Sequence, residues 1–126
     1  MTIWKRFETR FLELWDSQGN SAMLMDKFLT GKELLEYKAR FMRNILHDSL
    51  GFCACSLARR TLGIAGVADI RDISDLHVRS QLEIMNLKLS HKLLLMHDTI
   101  NTIEQFESTV RTFYINTNYE SMELLK

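Results

Sequence analysis

Residues 78–100 read VRSQLEIMNLKLSHKLLLMHDTI, and their periodicity decides the fold class. Val78, Leu82, Met85, Leu89, Leu93, Met96 and Ile100 recur every three or four residues. That spacing lines one face of an α-helix for about six turns. Burying seven such side chains contributes roughly 10–20 kcal/mol gross, before conformational entropy is set against it. The spacing predicts that this is the longest helix of the chain, with Asp72 or Ser74 as its N-cap. Asn101-Thr102-Ile103-Glu104 then opens a last helix with Ile103, Phe106, Val110 and Phe113 along its apolar face. The pattern fades after Ile115, so residues 1–115 are read as one helical region and 116–126 as a frayed tail.

Upstream of this stretch the same periodicity recurs. Ile3, Phe7, Phe11, Leu14 and Trp15 form the apolar face of a helix over about Ile3–Trp15, and Asp16-Ser17-Gln18-Gly19-Asn20 stops it. Residues 22–29 carry little pattern. Thr30-Gly31-Lys32-Glu33 fits a capping box, with a hydroxyl followed three residues later by a carboxylate. The helix after it presents Leu34, Tyr37, Phe41 and Ile45. It is expected to bend or restart near Ser49-Leu50-Gly51, run on to Leu62 and end at a Gly63 C-cap. Residues 64–73 read as a loop. Val67-Ala68-Asp69-Ile70 alternates, but one short strand has nothing to pair with. Proline is absent and glycine occurs five times, so helix breakers are few. The expectation is an all-α domain of about five helices.

Composition narrows the function classes. The 126 residues suit a single domain, with 46% hydrophobic and 25% charged residues. Sixteen Lys and Arg balance sixteen Asp and Glu, so the formal charge is zero. A nucleic-acid binder that relies on neutralising phosphates needs a basic surplus. That argues against DNA binding by a helix-turn-helix, and the same balance gives no basis for an anionic membrane partner. No apolar run approaches the ~18 residues of a spanning helix, and residues 1–8 lack the core of a secretory signal. Cys53 and Cys55 lie two apart, which on a helix points them to different faces and disfavours a disulfide. A reduced, cytoplasmic setting follows from that reading.

Chemistry-bearing motifs are sparse. Phosphoryl transfer needs a phosphate cradle and a carboxylate-held metal, yet neither glycine-rich nucleotide loop occurs. Gly63-Ile64-Ala65-Gly66 reads as a helix stop and turn. His47-Asp48 and His97-Asp98 fall inside or at the ends of helical patterns and read as polar surface positions. His91 and His97 are six apart, off one helical face, and Cys53-x-Cys55 lacks the spacing of a zinc knuckle. No catalytic, cofactor-binding or metal-ligating residue is assigned. Arg59-Arg60 is the one pair singled out. Adjacent helical residues point about 100° apart, so one guanidinium can face a cleft while the other ties down a neighbouring element. Both are planar donor forks suited to phosphate or sugar oxygens. Spacing alone favours a solvated surface pair.

Residues 50–70, LGFCACSLARRTLGIAGVADI, resemble the C-terminal region of S-methyl-5-thioribose kinases of bacterial methionine salvage. That family shows a Gly-Phe segment, a helix ending in Arg-Arg-Thr or a similar triplet, and a Gly-x-x-His-Val-Ala-Asp loop. Residues 4–15, 37–46 and 72–113 resemble the flanking helices, so the likeness covers most of the chain to about Tyr114. It departs from the family at Gly66, where histidine is usual, at Ala54, where glycine is usual, and at Ala58, where a bulkier apolar residue is usual. The resemblance implies the helical C-terminal subdomain of a protein-kinase-like, aminoglycoside-phosphotransferase-like fold. It also implies an enzyme that uses ATP and magnesium to phosphorylate the 1-hydroxyl of 5-methylthioribose. Arg59 and Arg60 would lie on its substrate side. The likeness covers only the last third of a family member, without the nucleotide-binding lobe, the His-Gly-Asp loop or the metal-binding Asp. The chain is therefore expected to supply scaffold and the arginine pair, to be inactive alone, and to need the N-terminal kinase portion or to self-associate. The alternative from another class is a non-enzymatic helical module that binds a partner helix through the Val78–Ile100 stripe.

Overall fold

The computed structural model describes residues 2–17, 28–62 and 67–123, with side chains as far as 117. Five helices follow in chain order: α1 (Ile3–Ser17), α2 (Gly31–Leu62), α3 (Ala68–Arg71), α4 (Leu76–Met96) and α5 (Ile103–Glu123). The described residues contain no strand, so the chain is all-α as expected. Among them, no helix is long and apolar enough to cross a membrane.

The helix boundaries differ from the sequence expectation in ways that have local causes. The longest helix is α2, with 32 residues, rather than α4. It runs unbroken through Ser49-Leu50-Gly51, where a bend or restart was expected. One interior glycine costs only about 1 kcal/mol, and the buried stripe Leu46, Leu50, Ala54 continues through that point and outweighs it. The helix is entered through Gly31 at φ +53°, a left-handed conformation that favours glycine. The expected capping box is not formed, because neither the Thr30 nor the Glu33 side chain makes a hydrogen bond among the described residues. Gly63, expected as the C-cap, lies outside the described residues. The expected loop at 64–73 contains one helical turn, α3. Asp75, and neither Asp72 nor Ser74, caps α4: its carboxylate accepts from the N–H of His77 at 2.9 Å and of Val78 at 3.1 Å. Asp72 instead closes α3, its N–H donating to the Ala68 carbonyl at 2.9 Å. Thr102 caps α5 by accepting from the Gln105 N–H at 3.2 Å, while the Gln105 amide oxygen accepts from the Asn101 N–H at 2.7 Å. The pattern loss at Ile115 does not mark the end of that helix, whose backbone continues to Glu123.

The chain divides into two compact units, Met1–Ile45 and Leu46–Lys126. The first is built on rings. Phe11 of α1 stacks nearly parallel to Phe41 of α2, with centroids 5.9 Å apart. Trp15 stands edge-on to both Phe41 at 5.2 Å and Tyr37 at 6.1 Å. These offset geometries suit the ring quadrupoles better than a face-to-face sandwich. Beneath them Met42 is buried, and so is Lys38. The Lys38 ammonium donates to the Asp16 carboxylate and lies 5.5 Å from the Trp15 ring centroid.

In the second unit Leu46, Leu50, Ala54, Ile70, Leu89, Leu93, Ile100 and Phe113 are buried. Three members of the predicted stripe, Leu89, Leu93 and Ile100, thus face inward, whereas Val78 is 43% exposed. At Ala54, fully buried, the second half of α2 packs against α4. The absence of a larger side chain there lets the Ser90 hydroxyl reach across and donate to the Ala54 carbonyl at 2.7 Å.

Candidate functional site

Arg59 and Arg60 occupy the last turn of α2, where cations complement the partial negative charge of a helix C-terminus. The Arg60 Nη1 donates to Asp69 Oδ2 at 3.0 Å, which joins the end of α2 to the first turn of α3. The side chains are 42% and 61% exposed. This ion pair therefore orients the two elements without adding much stability. Arg59 points about 100° away around the helix. It is exposed and has no ion pair among the described residues. The structure thus gives the two arginines different surroundings: one is held by a carboxylate and the other is open to solvent.

Asp69 was not picked out from spacing as a partner of Arg60. It stands nine positions later, and residues 63–66 between them lie outside the described residues. The signal available in the sequence was its place in Val67-Ala68-Asp69, the segment that carries the family likeness.

The remaining candidates do not converge. His97 Nδ1 lies 2.9 Å from the Leu94 carbonyl of its own helix. His47 Nε2 is buried without a hydrogen-bond partner. Cys53 and Cys55 are free thiols, both exposed. No three His, Cys, Asp or Glu side chains among the described residues come together in a way that holds a metal ion. The described residues line two grooves of note. One of about 560 Å³ in the first unit is lined by Leu12, Leu34, Lys38 and Met42, among others. Another of about 450 Å³ in the second unit is lined by Met96, Ile100, Gln105 and Thr109, among others. Neither includes Arg59 or Arg60. Arg59 is thus an exposed cation outside both of these grooves.

Comparison with known proteins identifies the relatives of this chain. It is 32% identical over 113 residues to methylthioribose kinase 2 of Oryza sativa subsp. japonica, covering 87% of this chain and 26% of that protein. Methylthioribose kinase 1 of the same plant is 31% identical over the same share of the chain. Methylthioribose kinase of Yersinia pestis (strain Pestoides F) is 28% identical over 110 residues, again 87% of this chain and 25% of the relative. No family model matches, and no solved structure matches. The chain therefore spans about a quarter of the length of these relatives, and over most of its own length its sequence is similar to methylthioribose kinases.

Proposed function

We propose that this chain is the C-terminal helical portion of a methylthioribose-kinase-like phosphotransferase, which contributes scaffold and a substrate-side arginine to the phosphorylation of 5-methylthioribose at its 1-hydroxyl. The observation that carries the reading is the 32% identity to a methylthioribose kinase along 87% of the chain. The surroundings of the arginine pair support it. Transfer of a phosphoryl group to an alcohol places developing charge on oxygens that need fixed donors. Arg60, held by Asp69, fixes the end of α2, and Arg59 beside it keeps its donor fork available for sugar or phosphate oxygens.

The described residues do not form a set that fits magnesium, since no cluster of metal-ligating side chains occurs among them. Nor does the sequence contain a glycine-rich phosphate loop. We therefore assign ATP and magnesium to the portion of the enzyme outside this chain, and no step involving them falls to these residues.

The test is reconstitution. This chain is mixed with the separately produced remaining portion of a methylthioribose kinase, and ATP-dependent phosphorylation of 5-methylthioribose is followed. Activity is expected only in the mixture, with R59A lowering it at least about tenfold, the usual loss for a missing charged donor. A mixture that forms a complex yet transfers no phosphate sinks the proposal. So does turnover by this chain alone.

A further inference from the structure

In the first unit, α1 and α2 together line the groove of about 560 Å³. Glu8, Leu12 and Asp16 contribute to it from one face of α1, each four residues after the last. Leu34, Leu35 and Lys38 contribute from α2. The groove therefore combines apolar walls with two carboxylates and one ammonium. Lys38 is buried. An ammonium has three N–H donors, and among the described residues the Lys38 ammonium makes one hydrogen bond, to the Asp16 carboxylate. Glu8 is half-buried and has no ion pair among the described residues.

A buried ammonium with donors to spare favours an acceptor, and a half-buried carboxylate without a counter-charge favours a cation. We propose that this groove binds a free basic α-amino acid of the lysine class. The ligand's α-carboxylate accepts from the Lys38 ammonium. Its α-ammonium donates to Asp16, which is mostly exposed and keeps acceptor positions open. The aliphatic stem lies over Leu12, Leu34 and Leu35, and the terminal cation donates to Glu8. Glu8 and Asp16 are eight residues apart, about 12 Å along the helix axis. An extended lysine with one charge-assisted bond of about 2.8 Å at each end spans a similar length. The pattern of charges selects against simpler ligands. A plain diamine leaves the spare Lys38 donors without an acceptor and brings a cation beside them. A plain carboxylate is opposed by Glu8 and Asp16.

The inference does not rest on the kinase reading, since neither Arg59 nor Arg60 lines this groove. Phosphate transfer by the reconstituted mixture tests that reading. Ligand binding by the chain alone tests this one.

The experiment is isothermal titration of the full 126-residue chain with three probes: L-lysine, L-norleucine and 1,5-diaminopentane. Norleucine keeps the α-groups and the stem but lacks the terminal amine, and diaminopentane lacks the carboxylate. L-lysine is expected to bind saturably, one per chain, with each of the other two at least about tenfold weaker, the usual effect of one lost charge-assisted contact. E8Q should weaken L-lysine about tenfold and leave norleucine unchanged, which also shows that the groove is intact in that variant. K38M should weaken L-lysine by a similar factor without weakening diaminopentane. No saturable binding of L-lysine overturns the proposal. So does diaminopentane binding as tightly as L-lysine, which reduces the groove to a general attraction for cations. An affinity for L-lysine that E8Q leaves unchanged overturns it as well.

Discussion

At the scale of single residues, the most consequential side chain in the first unit is Lys38. Its ammonium is nearly out of water, beside Trp15, with Asp16 as its counter-charge. Removing one partner from such a pair costs more than replacing the buried charge by an apolar group of similar length. D16N should therefore destabilise the protein by about 1–3 kcal/mol, while K38M should stay within about 1 kcal/mol of the wild type. Urea unfolding of both variants checks the order. In the second unit the sensitive pair is Ala54 and Ser90. S90A should cost about 1 kcal/mol, the usual value of a buried hydrogen bond. A54L should cost about 1–3 kcal/mol through overpacking, because Ala54 has no exposed surface to yield. Arg60 and Asp69 behave differently. Their pair is exposed, so R60A and D69N should each change stability by less than about 1 kcal/mol. In the reconstituted enzyme both should nevertheless lower phosphorylation together, since each removes the same strut beneath Arg59.

At the scale of elements, capping is where the sequence and the structure diverge most. Asp72, Ser74 and Asp75 all have side chains able to cap α4, and spacing cannot choose among them. Backbone dihedrals decide it: Asp75 is extended, at φ −75° and ψ 108°, with its carboxylate beneath two free N–H groups. D75A should therefore lower stability by about 1 kcal/mol, and alanine at 72 or 74 should cost less at the α4 entrance. Thermal melts of the three variants rank them. The helices themselves were legible, because apolar residues at three- and four-residue spacing leave little else for Phe11, Phe41, Leu89 and Leu93 to do. Two features were not. The continuity of α2 through Gly51 depends on packing against other parts of the chain, which no local window contains. The helical turn α3 is four residues long, barely one helical period, too short for a repeat to show.

At the scale of the whole molecule, the similarity to methylthioribose kinases covers 87% of the chain but about a quarter of the relatives. The likeness was legible in residues 50–70, where Gly51-Phe52, Arg59-Arg60-Thr61 and Val67-Ala68-Asp69 carry the resemblance. The division of labour between the two arginines was only half readable. Helical geometry required them to diverge, but which one is tethered depended on where α3 delivers Asp69. A similar limit applied to the Val78–Ile100 stripe, whose last member lies beyond the end of α4. Periodicity shows that Leu89, Leu93 and Ile100 want cover, and only the fold shows that residues of this same chain provide it.

The aromatic cluster of the first unit also determines how the protein can be watched. The chain has two tryptophans, Trp4 and Trp15, and both belong to α1. Trp15 is buried against Tyr37 and Phe41 with an ammonium nearby. Indole emission on heating or in denaturant therefore reports the opening of residues 1–45 alone. Ellipticity at far-ultraviolet wavelengths sums over every helix, most of which carry no indole. Recording both signals from one sample separates the melting of the tryptophan-bearing unit from that of the rest, with no added label.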